Sequence, residues 1–86
     1  MAVRLVFLGR LEELAGCDGA GLVMDAPIGW AALMDRLSGD YAPELAEIVG
    51  GPRVKVALNG ALVADKQALV VADGDEIAFL PPVSGG

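Results

Sequence analysis

Glu76-Ile77-Ala78-Phe79-Leu80-Pro81-Pro82-Val83-Ser84-Gly85-Gly86 closes the chain, and the reading of the whole sequence turns on this stretch. Ile77 and Phe79 fall on one face of an extended run, and Ala78 and Leu80 on the other, the period-two alternation of a strand. The two prolines cannot donate ladder hydrogen bonds, and each biases the residue before it toward extended backbone. Pairing is expected to stop at or before them, and the chain to leave the sheet without turning back. Small residues then lead to two glycines. Such an end is expected to be slim, flexible and easily threaded into a narrow site. The expected division is a domain over residues 1–80 and an extended tail over 81–86.

Upstream, Val3 to Leu8 reads as a strand with Val3, Leu5 and Phe7 on one face. Leu11 and Leu14 mark a short helical turn over Arg10 to Ala15, which Gly16 stops. Gly21 to Asp25 reads as a second strand, pairing antiparallel with the first. Trp30, Leu33, Met34 and Leu37 fall at i, i+3, i+4 and i+7, the stripe of an amphipathic helix. Gly29 is the best available cap, and Ser38-Gly39-Asp40 is expected to end the helix. Pro43 to Ile48 suggests a second, shorter helix. Arg53 to Leu58 is a strand, Asn59-Gly60 the strongest hairpin signal in the chain, and Ala61 to Ala64 the returning strand. Leu69-Val70-Val71 reads as an apolar patch under the last turn, Asp73-Gly74-Asp75. The order strand, strand, helix, strand, strand, strand implies an α+β fold: one sheet of about five strands, covered on one face by one main helix.

The chain has 86 residues, enough for one domain and one modest core. Its apolar content of 55% is spread in short runs, none approaching the ~20 residues of a membrane helix. The run from Leu5 to Leu8 is too short for a signal-peptide core. With Cys17 alone and no internal disulfide open to it, a cytoplasmic protein is expected. The net charge of −6 argues against nucleic acid as a partner and suits docking on a basic surface of another protein.

Histidine is absent, which removes the commonest general base and a common zinc ligand. Cys17 has no neighbouring cation in sequence to activate its thiol. There is no phosphate loop, nucleophile elbow or cysteine cluster. The carboxylates around Gly74 suit a turn, and no metal ligand set is expected. Independent catalysis is therefore not expected. The chemically distinctive group is the carboxylate of Gly86. Activated by a partner as an acyl-adenylate, it gains a leaving group that sulfur can displace. A β-carbon at Gly85 or Gly86 would narrow the entry of the tail and crowd the reacting carbonyl. Leu8, Leu80 and Leu62 are expected opposite the helix-covered side, an apolar patch of the kind that marks an interface.

Val56-Ala57-Leu58-Asn59-Gly60 and the run from Asp73 through Gly86, with Phe7-Leu8 and Leu11-Glu12-Glu13-Leu14 before Gly16, resemble the molybdopterin synthase small-subunit family. These are ubiquitin-like sulfur carriers with the β-grasp fold. Two departures are the missing Ser or Thr cap before Trp30 and leucine at position 80, where an aromatic is common. The resemblance implies a Gly86 adenylate made with ATP by an adenylating enzyme of the ubiquitin-activating type, with no cofactor bound by the carrier itself. A persulfide donor would convert it to a thiocarboxylate, and sulfur would pass to cyclic pyranopterin monophosphate. The large synthase subunit would carry the catalytic side chains, in an assembly of two small and two large subunits. Leu8, Leu62 and Leu80 would form the apolar contact, with Pro81, Pro82, Val83 and Ser84 leading into the large subunit. The alternatives are carriers for thiamine, cysteine synthesis or tRNA thiolation, or an inert β-grasp interaction module.

Overall fold

Alternation in the first and last strands decides where the core lies. In a computed structural model of the chain, which describes residues 1–82, β1 (Ala2–Phe7) and β7 (Glu76–Leu80) lie side by side and parallel, with Phe7 opposite Phe79. Their inward side chains, Val3, Leu5, Phe7, Ile77 and Phe79, are almost wholly buried. The rings of Phe7 and Phe79 stack at 5.5 Å, and Tyr41 meets Phe7 edge-on at 5.4 Å.

The sheet order is β2-β1-β7-β4-β5, where β2 is Gly19–Val23, β4 Lys55–Leu58 and β5 Ala61–Leu62. The closing strand thus sits at the centre, parallel to β1 and antiparallel to β4. Three helices, α1 (Arg10–Ala15), α2 (Trp30–Asp40) and α3 (Pro43–Val49), send Leu11, Trp30, Leu33, Leu37, Leu45 and Val49 into the core against its inner face. This is the α+β, β-grasp arrangement, with a mixed sheet of five strands.

Four details differ from the sequence reading. The helical layer is shared: α3 packs beside α2, so one main helix is not the whole cover. Helix α2 runs past Ser38 and Gly39 to Asp40, where Tyr41 N–H closes on the Leu37 carbonyl at 3.0 Å. A glycine inside a helix costs only about 1 kcal/mol, too little for Gly39 to break it. The stop comes from Pro43, which holds Ala42 extended. Strand β2 starts earlier, at Gly19, where a β-carbon would lie 2.9 Å from the Leu5 carbonyl oxygen. Val70 and Val71 form β6, a two-residue strand paired with β3 (Ile28–Gly29) ahead of α2.

Lys66, in a 3₁₀ turn over Lys66–Ala68, holds the loop after α3 in place. Its ammonium donates to the carbonyls of Val49 at 2.9 Å, Val54 at 2.8 Å and Gly51, and lies 5.7 Å from the Trp30 ring centroid. Desolvation, helped by Lys55, lowers its pKa from the ordinary lysine value. Three carbonyl acceptors nonetheless give the charged form its partners, and they fix the path of residues 49–54 into β4.

Candidate functional site

The place where the chain leaves the sheet is built from three segments far apart in sequence. Leu80 ends β7 opposite Lys55 of β4, and on the other flank Leu8 N–H donates to the Phe79 carbonyl at 3.3 Å. Gly9 follows, with φ of +56°. A β-carbon there would stand 2.9 Å from Pro81 Cγ. Glycine is thus needed twice at this position, for its backbone angle and to admit the proline ring. Pro81 is half-buried in this seat and Pro82 is exposed.

The outer face of the sheet beside the exit is apolar and carries no helix. Leu62, Ala57, Ala78 and Val6 stand in register across four strands. Side chains in register share a face, so Leu62, 70% exposed, lies on the same side as Ala78 and Leu80. Leu8 is 40% exposed at the end of β1, and Leu80 is half-buried. The structure therefore brings Leu8, Leu80 and Pro81 together and places Leu62 on the same bare face, two strands away from β7. Small alanines between them leave a shallow surface. Arg4 and Glu76, paired at 4.0 Å, close one side of it. Val83, Ser84, Gly85 and Gly86 lie outside the described residues.

Sequence reasoning missed the walls of the exit. A hollow of about 430 Å³ is lined by Pro52, Arg53, Lys55, Pro81 and Pro82. A larger one, about 550 Å³, lies between α1 and the start of β4, with Arg10 and Arg53 beside the two prolines. Nothing local in sequence joins residues 9–10, 52–55 and 81–82; only the pairing of β7 with β1 on one side and with β4 on the other does. Gly9 carried the one available signal, a glycine directly after a strand. Cys17 is half-buried against the core rather than displayed, and Tyr41 has a raised pKa, chiefly from burial and to a lesser extent from Cys17 beside it. Among the described residues no cluster of His, Cys, Asp or Glu could hold a metal ion, and no helix is long and apolar enough to cross a membrane.

The exit combines a proline seated on Gly9 with a bare apolar sheet face beside it. The family description for ThiS matches residues 5–86. The chain belongs to the ThiS family. A curated relative, the molybdopterin synthase sulfur carrier subunit of Anopheles gambiae, is 33% identical over 87 residues, covering 98% of this chain and 91% of that protein. The crystal structure of SAMP1 from Haloferax volcanii superposes with a TM-score of 0.78 at 27% identity, covering all of both chains. A chain in the complex of subunits 1 and 2 of the molybdopterin-converting factor from Helicobacter pylori matches at 28% identity and a TM-score of 0.67, again over all of both chains. The resemblance to the molybdopterin synthase small-subunit family, read from motifs between Phe7 and Gly86, is thus matched by a relative aligned along nearly the whole chain.

Proposed function

We propose that this chain is the sulfur-carrier subunit of a molybdopterin synthase. The observation that supports it most is the central strand β7, held on both flanks, which delivers Pro81 and Pro82 to the edge of an apolar face that no helix covers. The chemistry would proceed at Gly86. Its carboxylate oxygen attacks the α-phosphorus of ATP on an adenylating enzyme, and pyrophosphate leaves. A persulfide sulfur then attacks the acyl carbon and AMP leaves. A second thiol cleaves the acyl disulfide, so that thiocarboxylate and a protein disulfide result. Because the step consumes ATP, the cytoplasm is the place for it.

The loaded tail would then enter the large synthase subunit. Leu8, Leu62 and Leu80 would lie against that subunit, and Pro81 to Ser84 would line its channel. Sulfur would pass to cyclic pyranopterin monophosphate on the large subunit, which would supply the catalytic side chains. Two carriers would flank a pair of large subunits. Gly85 and Gly86 would serve by having no side chain at the reacting carbonyl. A second reading, a carrier feeding another sulfur pathway, draws support from the higher TM-score of SAMP1 than of the synthase subunit, 0.78 against 0.67.

The test is intact mass after incubation with ATP, an adenylating enzyme and a persulfide donor. The expected gain is that of one sulfur replacing one oxygen, lost again on transfer to cyclic pyranopterin monophosphate with a large subunit present. Removal of Gly86 is expected to abolish the gain and leave the melting temperature unchanged. Loading without transfer to the pterin favours the second reading; no loading removes both.

A further inference from the structure

Past Leu80 the sheet gives the chain no direction. On the β1 flank Leu8 N–H donates to the Phe79 carbonyl at 3.3 Å, and on the β4 flank Leu80 stands opposite Lys55. Pro81 and Pro82 have no N–H with which to continue either side. The direction of the tail must therefore come from packing at Pro81. Its ring lies on Gly9, where a β-carbon would stand 2.9 Å from Cγ and 3.8 Å from Cδ.

The surface under that ring is itself fixed. Gly9 joins β1 to α1 with φ of +56° and ψ of −129°, a backbone that glycine takes far more readily than other residues. The Leu8 carbonyl accepts from Leu11 N–H and the Gly9 carbonyl from Glu12 N–H, each at 3.1 Å. Leu11 is buried in the core and holds this first turn of α1 in place. The proline thus rests on backbone tied to a strand and a helix, not on a side chain free to move.

We propose, on the sulfur-carrier reading above, that Gly9 is a positioning residue for sulfur transfer. Its bare Cα lets the Pro81 ring seat, and the seat sets the direction in which residues 82–86 leave the sheet. The ring is part of the main chain and cannot swing aside as a free side chain does. With a β-carbon at position 9, restoring an ordinary contact of about 3.5–4.0 Å moves the ring by roughly 0.5–1 Å. That shift grows along the chain. Five residues follow Pro81 and reach roughly 15 Å when extended, several times the distance from the Leu80 carbonyl to the ring, so the Gly86 carboxylate moves by about 2 Å or more. A misplacement of about 1 Å at a reacting group can cost on the order of 100-fold in rate. A glycine kept only for its turn predicts another pattern, a loss of stability that takes no account of the proline ring.

The test is single-turnover sulfur transfer from thiocarboxylated carrier to cyclic pyranopterin monophosphate, with a large synthase subunit in excess and below the melting temperature of every variant. It is read as the maximal rate and the half-saturating concentration of the large subunit. Gly9→Ala is expected to lower the maximal rate about tenfold and to leave half-saturation within about twofold. Pro81→Ala, which introduces no strain, is expected to lower the rate about threefold by itself. In that background Gly9→Ala should cost no further rate, although the strained angle still lowers the melting temperature. Gly16→Ala controls for strain alone. Gly16 has φ of +79° at the end of α1 and meets nothing within 4 Å, so its variant should lose stability at full rate. A rate unmoved by Gly9→Ala or by Pro81→Ala overturns the positioning proposal alone. So does a Gly9→Ala loss that is the same with and without the proline ring, that falls on half-saturation, or that Gly16→Ala reproduces. No transfer from the wild-type thiocarboxylate overturns the carrier reading and the proposal together.

Discussion

At its Glu76 end β7 is fastened by polar side chains, and at its Leu80 end by backbone pairing and packing alone. Around Glu76 the hairpin turn and the Asp73-Gly74-Asp75 turn are one network. Asn59 Nδ2 donates to Asp75 Oδ1 at 3.0 Å, Glu76 N–H donates to Asn59 Oδ1 at 2.9 Å, and Ala72 N–H donates to Asp75 Oδ2 at 2.9 Å. Asp73 takes the Ala2 N–H at 2.9 Å, tying in the start of β1. At the other end stand two prolines without N–H, a glycine at positive φ and three cations with no partner among the described residues. One end consumes its polar groups on itself, and the other holds them available. The fold is therefore a fixed base for a strand whose far end is offered to other molecules, and substitutions at the two ends should part into losses of stability and losses of partnership.

The widest separation is expected between Phe79 and Leu62. Phe79 is fully buried between strand neighbours and the Phe7 ring. Phe79→Ala should cost about 3–5 kcal/mol, a large part of the roughly 5–15 kcal/mol that holds a domain together. In urea titration it should shift the midpoint strongly or leave no cooperative transition. Leu62→Ala, at 70% exposure, should stay within about 0.5 kcal/mol and weaken binding to a large subunit. A comparable loss of stability at Leu62 would mean that the outer face belongs to the core.

Gly9 tests the exit itself. Gly9→Ala puts a β-carbon at φ +56° and 2.9 Å from Pro81 Cγ. The backbone part should cost about 1–3 kcal/mol. Pro81→Ala should relieve the contact but not the angle, so the double variant should melt between Gly9→Ala and the wild type. Strict additivity of the two losses would show that the proline is not seated on Gly9.

These two pairs also mark how far the sequence could be read. Phe79 and Leu62 were legible because alternation in short strands reports the face directly, and the proline pair set the end of β7 at Leu80. The Asn59-Gly60 turn was legible too, since its φ values of 52° and 86° are those its residues favour. The seat of Pro81 on Gly9 was not, because contact between residues so distant in sequence arises only from sheet order. Strands β3 and β6 have two residues each, too few for any periodicity. Helix α2 outran its expected stop because composition at Gly39 is a local preference, while Pro43 acts through the backbone of Ala42.

The smallest effect belongs to Asp75, and it bears on the closed end of the comparison. The Ala72 N–H and the Asn59 amide both favour its charged form and hold its pKa below the ordinary carboxylate value, against a minor opposing effect of desolvation. A carboxylate whose folded pKa lies below its unfolded one adds stability that is present above the unfolded value, near about 4. That contribution is lost as pH falls through the folded value, because the folded state must then take up the proton. Asp75→Asn keeps the shape and removes the titration. Its melting temperature at neutral pH should be modestly lower than that of the wild type, and the gap should close as the pH drops from about 5 to about 3. Hydrogen exchange at the Ala72 and Glu76 amides should rise in the variant while exchange at Phe79 stays as it was. A gap that persists unchanged at low pH would mean that the Asn59–Asp75 link works by shape alone, and that the polar fastening of β7 is weaker than its geometry indicates.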